Sequence, residues 1–316
     1  MLRYIRARIF AMLPVLLGMS VLVFLIMRLI PGDAAVVFLG TKPTPEAVEA
    51  FRDRAGLNDP LYVQYFTWMG SLLKGDLGLS LTTGTDIRGE IISRVPVTLE
   101  LMFLSVLLAI IIALPLGIIA ALRHNSSTDV LVTSFGMVGL SLPNFWLGTL
   151  LVFFFSVKLG WFPAGGYVPI TKDFWGNLHS MALPSISLGL VSASVIMRMT
   201  RASMLEVIGQ DYVRTAQAKG LMYRAVVVRH MLKNALIPIL TVVGMECGYL
   251  FGGAFLIEAV FYIPGLATYS LLAVSQRDYP VLQTVVLLVT FVFMLINLIV
   301  DILYAYLDPR LRLSGN

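Results

Sequence analysis

Six apolar runs, each long enough to cross a bilayer, decide what this chain can become. They cover roughly residues 9–30, 97–122, 130–157, 181–199, 236–261 and 281–306. A helix needs about 20 apolar residues to cross the hydrocarbon core. Lipid offers no hydrogen bonds, and a helix satisfies its backbone groups within one segment. The predicted fold is therefore all-α: a polytopic membrane protein with six transmembrane helices. Charge content agrees. Only 13% of the residues are charged and 58% are hydrophobic, whereas soluble domains carry about 25% charged residues. So few charges cannot cover a water-exposed surface of this size.

Several function classes drop out on the same reading. The net charge is +5, but no basic stripe interleaves with aromatic residues, so no nucleic-acid partner is expected. Cys247 is the only cysteine and can form no intrachain disulfide. His124, His179 and His230 fall in different loops, without the spacing of a metal site. No phosphate-binding loop occurs, because Lys74-Gly75 and Lys219-Gly220 run in the wrong order. No nucleophile elbow occurs either. The chain is expected to bind no cofactor of its own and to carry no catalytic residue. Its basic N-terminus precedes an apolar run that is too long for a signal peptide and lacks a cleavage pattern, so it reads as an uncleaved first span.

Orientation follows from the basic residues. Thirteen of the 23 Lys and Arg fall in the N-terminus, residues 123–129, residues 198–233 and the C-terminus. The two short segments on the other side carry Lys158, Lys172 and Arg277. Basic loops stay on the cytoplasmic side, which places both termini inside. Arg28 reads as a snorkelling residue at the outer end of the first span. The domain reading has the N-terminus and first span at 1–30 and an external insert at 31–96. A five-helix core follows at 97–307 with a cytoplasmic loop at 200–235, and then a tail at 308–316. The insert reads as structured. Val48, Phe51, Leu61, Tyr65, Trp68, Met69, Leu72 and Leu73 recur at helical spacing, and Thr44-Pro45-Glu46 is a helix start. It serves either as a cap over the outer ends of the spans or as a seat for a partner.

The segment 211–238 cannot lie in lipid. It carries Arg214, Lys219, Arg224, Arg229 and Lys233 against Asp211 alone. Asp211 is the expected N-cap of a short helix, and Gly220 the residue that ends it. Tyr212, Thr215, Ala216 and Lys219 follow along one expected face. Ala216 and Gly220, four apart, give that face small residues on which another surface can close. A second helix is expected from about Tyr223 into the fifth span, with a kink or restart at Pro238. The alternative is an amphipathic helix lying on lipid headgroups. Within the spans, Glu246 is a costly charge unless it is paired or faces water. It reads either as a pore-lining or inter-subunit residue, or as a structural ion pair or protonated carboxyl.

Residues 211–238 resemble the EAA loop of ATP-binding-cassette importer permeases, matching at Ala216, Gly220, Ile237 and Pro238. Arg214-Thr215 stands where the family usually has Glu-Ala, as in its peptide/nickel branch. Further matches run in order along the chain. They are Ile30-Pro31-Gly32-Asp33, Gly75-Asp76-Leu77-Gly78 with Ser80, and Arg94-Val95-Pro96-Val97-Thr98-Leu99-Glu100. They continue with Ser141-Leu142-Pro143, Arg198-Met199-Thr200-Arg201, Ile263-Pro264-Gly265, Arg277-Asp278-Tyr279-Pro280 and Asp308-Pro309-Arg310. One departure is Ala34, where a proline often follows. The chain is thus similar to the first of the two permeases of a peptide/nickel importer.

That resemblance implies a bacterial or archaeal cytoplasmic membrane and a second homologous permease that completes the pore. It implies two ATP-binding-cassette ATPases, which hold ATP and Mg, and an external substrate-binding protein. Asp211, Tyr212, Arg214, Thr215, Ala216, Lys219, Gly220 and Pro238 are the implied coupling residues. Pro143, Asn144, Glu246 and Glu258 are the candidates for pore lining or inter-subunit contact. The implied cargo is di- and oligopeptides, with nickel chelates and glutathione-like solutes as alternatives. A self-sufficient channel or secondary carrier is the rival of a different class, and the lack of a visible inverted repeat counts against it.

Overall fold

The computed structural model describes residues 2–29, 34–40, 43–54 and 56–307. Among these the chain is helical, with no strand beyond one isolated bridge between Leu79 and Asp86. Helix α1 spans Leu2–Leu29, and the short helices α2 (Ala34–Leu39), α3 (Pro45–Arg54) and α4 (Leu61–Leu73) follow. Next come α5 (Ile87–Leu122), α6 (Ser127–Ser141) and α7 (Asn144–Leu151), which continues in π-helical turns over Val152–Lys158. Helix α8 (Phe174–Ile208) leads to α9 (Asp211–Ala218). Helix α10 (Tyr223–Ala225) passes through the π-helical stretch Val226–Leu232 into α11 (Lys233–Val260). Helices α12 (Leu266–Gln276) and α13 (Tyr279–Leu307) end the described chain. The motifs at 30–33 and 308–310 lie outside the described residues.

Among the described residues five helices are long and apolar enough to cross a membrane, and a sixth span exists only as a bent pair. The third apolar run, expected as one helix over 130–157, is instead α6 and α7, bent by 100° at the break between them. The cause is local. Leu142 is extended, with φ −95° and ψ 126°, the region to which the ring of a following proline confines it. Pro143, at φ −62° and ψ 134°, then starts α7 without needing a donor. Pro14, Pro184 and Pro238 instead lie within continuous helices α1, α8 and α11. The second span also starts earlier than expected, at Ile87.

The chain divides into two compact units. One holds Thr98–Ile263 with the two ends Met1–Arg6 and Leu295–Asn316. Its centre is α8, whose apolar window is 78% buried. Small residues make this possible. A Cβ on Gly117 would sit 2.8 Å from the Met197 carbonyl oxygen, and one on Gly189 would sit 2.8 Å from that of Ser105. Backbones this close need small side chains, the usual basis of helix packing in lipid. Three buried serines of α8 spend their hydroxyls locally: Ser180 donates to the Asn177 carbonyl at 2.9 Å, Ser187 to that of Pro184 at 2.7 Å and Ser194 to that of Leu190 at 3.0 Å.

The other unit holds Ala7–Val97 and Pro264–Met294. Helix α3 begins at Pro45, with Thr44 Oγ1 accepting from the Ala47 amide at 3.3 Å. Helix α4 lies along α1: Arg28 Nε donates to Gln64 Oε1 at 3.0 Å, and Phe24 stacks on Trp68 at 5.9 Å. Asp278, buried at the start of α13, accepts from Ser80 Oγ at 2.5 Å and from Thr82 Oγ1 at 3.0 Å. A carboxylate with two such donors offsets its own desolvation and pins the loop before α5.

Candidate functional site

Helix α9 is eight residues long, far below the length at which an isolated helix is stable in water. Packing on one side holds it. Val213 and Ala216, three apart, share a face and are 1% and 5% exposed. They belong to an apolar cluster with Ala121 of α5, Met204 of α8, and Val226 and Met231 of the π-helical stretch. The opposite face carries Asp211, Tyr212, Arg214, Thr215 and Gln217, all exposed.

This placement revises the expected contact face. Ala216 turns into the chain's own core, so it fixes the helix from behind and is not part of the open face. Gly220 lies beyond the end of the helix. Its φ of +75° suits glycine, and its amide donates to the Gln217 carbonyl at 2.9 Å. Lys219 is the C-cap. Asp211 is not the cap. Gln210 stands there without a side-chain cap bond, and Asp211 is the first helical residue, where its charge still suits the positive end of the helix. Its contact with Arg214, at 4.0 Å and fully in solvent, contributes little. Thr215 Oγ1 donates to the Asp211 carbonyl at 2.9 Å, which leaves the hydroxyl only as an acceptor for anything outside. Pro238 lies inside α11, five residues past its start, and the helix neither breaks nor restarts there.

A polar clamp, not foreseen as a unit from the sequence, fixes the neighbouring helix ends. Arg201 near the end of α8 meets Asp129 in the first turn of α6 in a forked pair. Its Nε lies 2.6 Å from Oδ1 and its terminal nitrogen 2.8 Å from Oδ2. Asp129 is 4% exposed and also accepts from the Asn125 amide at 3.0 Å, with His124 Nδ1 at 3.2 Å. Ser126 caps α6 by accepting from the Asp129 amide. The sequence signal was there: Ser126-x-x-Asp129 before an apolar run is a helix-start pattern. Its pairing with Arg201, 72 residues away, is a tertiary fact.

The four residues expected near the pore are not gathered into one site. Pro143 is exposed at the break before α7, and Asn144 follows it, with Nδ2 3.5 Å from where a Cβ on Gly253 of α11 would be. Glu258 is fully buried near the end of α11 and accepts from Thr98 Oγ1 of α5 at 2.5 Å. Glu246, mid-way along α11, is 9% exposed beside Ser192 of α8, and its Oε2 has no hydrogen-bond partner among the described residues. Outside the spans, Tyr167 donates to Glu100 at 2.8 Å. Burial first, and that bond second, push its phenol up to about 12. No group of acidic, His or Cys side chains suited to a metal occurs among the described residues.

Residues 113–313 match the family described as binding-protein-dependent transport system inner membrane component, and residues 1–102 match the N-terminal model of such membrane components. The chain is 43% identical to the dipeptide transport system permease protein of Alkalihalophilus pseudofirmus, over 99% of this chain and 100% of that one. It is 41% identical to the glutathione transport system permease protein of Escherichia coli, over 99% of each. An inward-facing structure of the MetNI methionine ABC transporter shares the fold. Its TM-score is 0.57 at 19% identity, covering 69% of this chain and 96% of that one.

Proposed function

Because the chain belongs to the family of membrane components of binding-protein-dependent transport systems, we propose that it forms half of the pore of an ATP-driven importer of di- and oligopeptides. A second, homologous permease completes the pore. Two ATPase subunits hold ATP and Mg, and an external binding protein delivers the cargo. Both termini and the loop carrying α9 face the cytoplasm, and the insert at 31–96 faces outward. The chain itself is a non-catalytic membrane component.

The observation that carries this reading is the mounting of α9. One side is locked into the core at the ends of α5 and α8, and the other side is charged and free. A helix held so firmly passes a displacement of its outer face to the long helices behind it. ATP drives the cycle only if the ATPases bind it more tightly in one arrangement of the permeases than in the other. The Asp129–Arg201 clamp keeps the ends of α6 and α8 together, so that they move as one. Peptides are favoured by the dipeptide relative. The glutathione relative keeps a glutathione-like cargo as a second reading.

The test is uptake of radiolabelled dipeptides and glutathione by vesicles holding this chain, its partner permease and the ATPases, with the binding protein added outside. Uptake should require ATP and every subunit. Overfilling the core beneath α9 with Ala216→Leu, at a strain of about 1–3 kcal/mol, should release the ATPases on purification and stop uptake. Solute flux through this chain alone, or full ATPase retention in Ala216→Leu, overturns the reading.

A further inference from the structure

Within the unit formed by Ala7–Val97 and Pro264–Met294, a cavity of about 350 Å³ lies between α1, α4, the first turns of α5, and α13. Leu16, Leu72, Ile91, Leu287 and Leu288 are among the side chains that line it. We propose that this cavity is a binding site for one acyl chain of a membrane lipid.

Two lining side chains carry polar atoms, Ser20 and Thr284, and both hydroxyls are already engaged. Ser20 Oγ donates to the Leu17 carbonyl at 2.8 Å, so the bond to Tyr65 OH, also 2.8 Å, has the tyrosine as donor. Thr284 Oγ1 donates to the Pro280 carbonyl at 2.8 Å. An ordered buried water needs about two to four polar partners, and this space offers too few. A segment of polypeptide would bring backbone groups with nothing to bond to. Hydrocarbon has neither need.

Size and setting point the same way. At about 350 Å³ the space has room for a run of several methylene groups. One wall is fixed. The Tyr65–Ser20 bond, the Phe24–Trp68 stack and the Arg28–Gln64 bond hold α4 in place along α1. Leu13, Leu17, Leu73 and Phe291 at the rim are exposed, so the space opens at the surface. Only 17% of the apolar window of α1, and the same share of α13, is buried. Both helices therefore leave most of their apolar surface uncovered by this chain, and an acyl chain of the surrounding bilayer can enter sideways without leaving it.

The test uses the assembled complex in vesicles containing phosphatidylethanolamine with a photoactivatable diazirine in its acyl chain. Cross-linked sites are mapped by mass spectrometry. Labelling is expected at Met69, Leu72 and Leu287, in addition to lipid-exposed positions such as Phe103, which is 63% exposed. Filling the cavity with Leu72→Trp, or more conservatively with Leu17→Phe, should cut cavity labelling by at least about tenfold and leave Phe103 labelling unchanged. Absence of label at the cavity positions while Phe103 reacts overturns the proposal. So does undiminished cavity labelling in both filled variants. The outcome is independent of which solute the complex carries.

Discussion

Helices α9 and α4 are both too short to cross a membrane, and each lies along longer helices that do. Helix α9 buries Val213 and Ala216 and leaves charge outside. Helix α4 contains no charged residue and buries none of its side chains fully. Its contact face, with Tyr65 and Trp68, is aromatic, and Tyr62, Phe66 and Leu73 on its other side are exposed. At about 100° per residue these three fall on one stripe. A free face must suit what surrounds it. The charged face of α9 suits a watery interface with another protein, and the apolar stripe of α4 suits hydrocarbon or its border. Their mounts differ as well. Close packing in an apolar cluster holds α9, and a few hydrogen bonds and ring contacts hold α4.

If the mounts differ in this way, damage near α9 should cost more than damage near α4. The largest effect is expected for Asp129→Ala. It leaves the Arg201 guanidinium and the Asn125 amide without their acceptor, at a cost near the lower end of the roughly 3–5 kcal/mol found for broken buried pairs, because Arg201 is partly exposed. Thermal unfolding of the purified complex should shift down by several degrees and ATP-dependent uptake should fall. Unchanged unfolding would mean that the clamp does not hold α6 to α8. Gly220→Ala forces a side chain into a left-handed backbone conformation and should cost about 1 kcal/mol. That corresponds to a roughly fivefold loss of the correctly ended helix, read as weakened ATPase retention, and Gly220→Asn should be milder. The smallest effect belongs to α4. Tyr65→Phe removes one partly buried hydrogen bond and should lower stability by about 0.5–1 kcal/mol, with uptake intact. A larger loss there than for Asp129→Ala would reverse the comparison.

Much of the molecule could be read before it was seen. Hydropathy is a property of consecutive residues, so the spans and their approximate places followed from the order of residues alone. The short helix before the fifth span was legible for the same reason: its basic residues cannot enter lipid, and Gly220 marks its end. Proline shows where such reading stops. A kink or restart was expected at Pro238, yet of Pro14, Pro143, Pro184 and Pro238 it is Pro143 that sits at a break, of 100°. The other three stay inside helices.

The sequence by itself determined that this chain is an all-helical, multi-pass membrane protein of the permease family, and which segment must stay in water. These are sums over local residue properties and ordered motifs. Only the tertiary structure decided that Ala216 faces inward, that Asp129 takes Arg201, and that Glu258 is closed against Thr98. Each depends on which distant helix lies opposite, and that is set by how the small residues of α8 let the other helices approach.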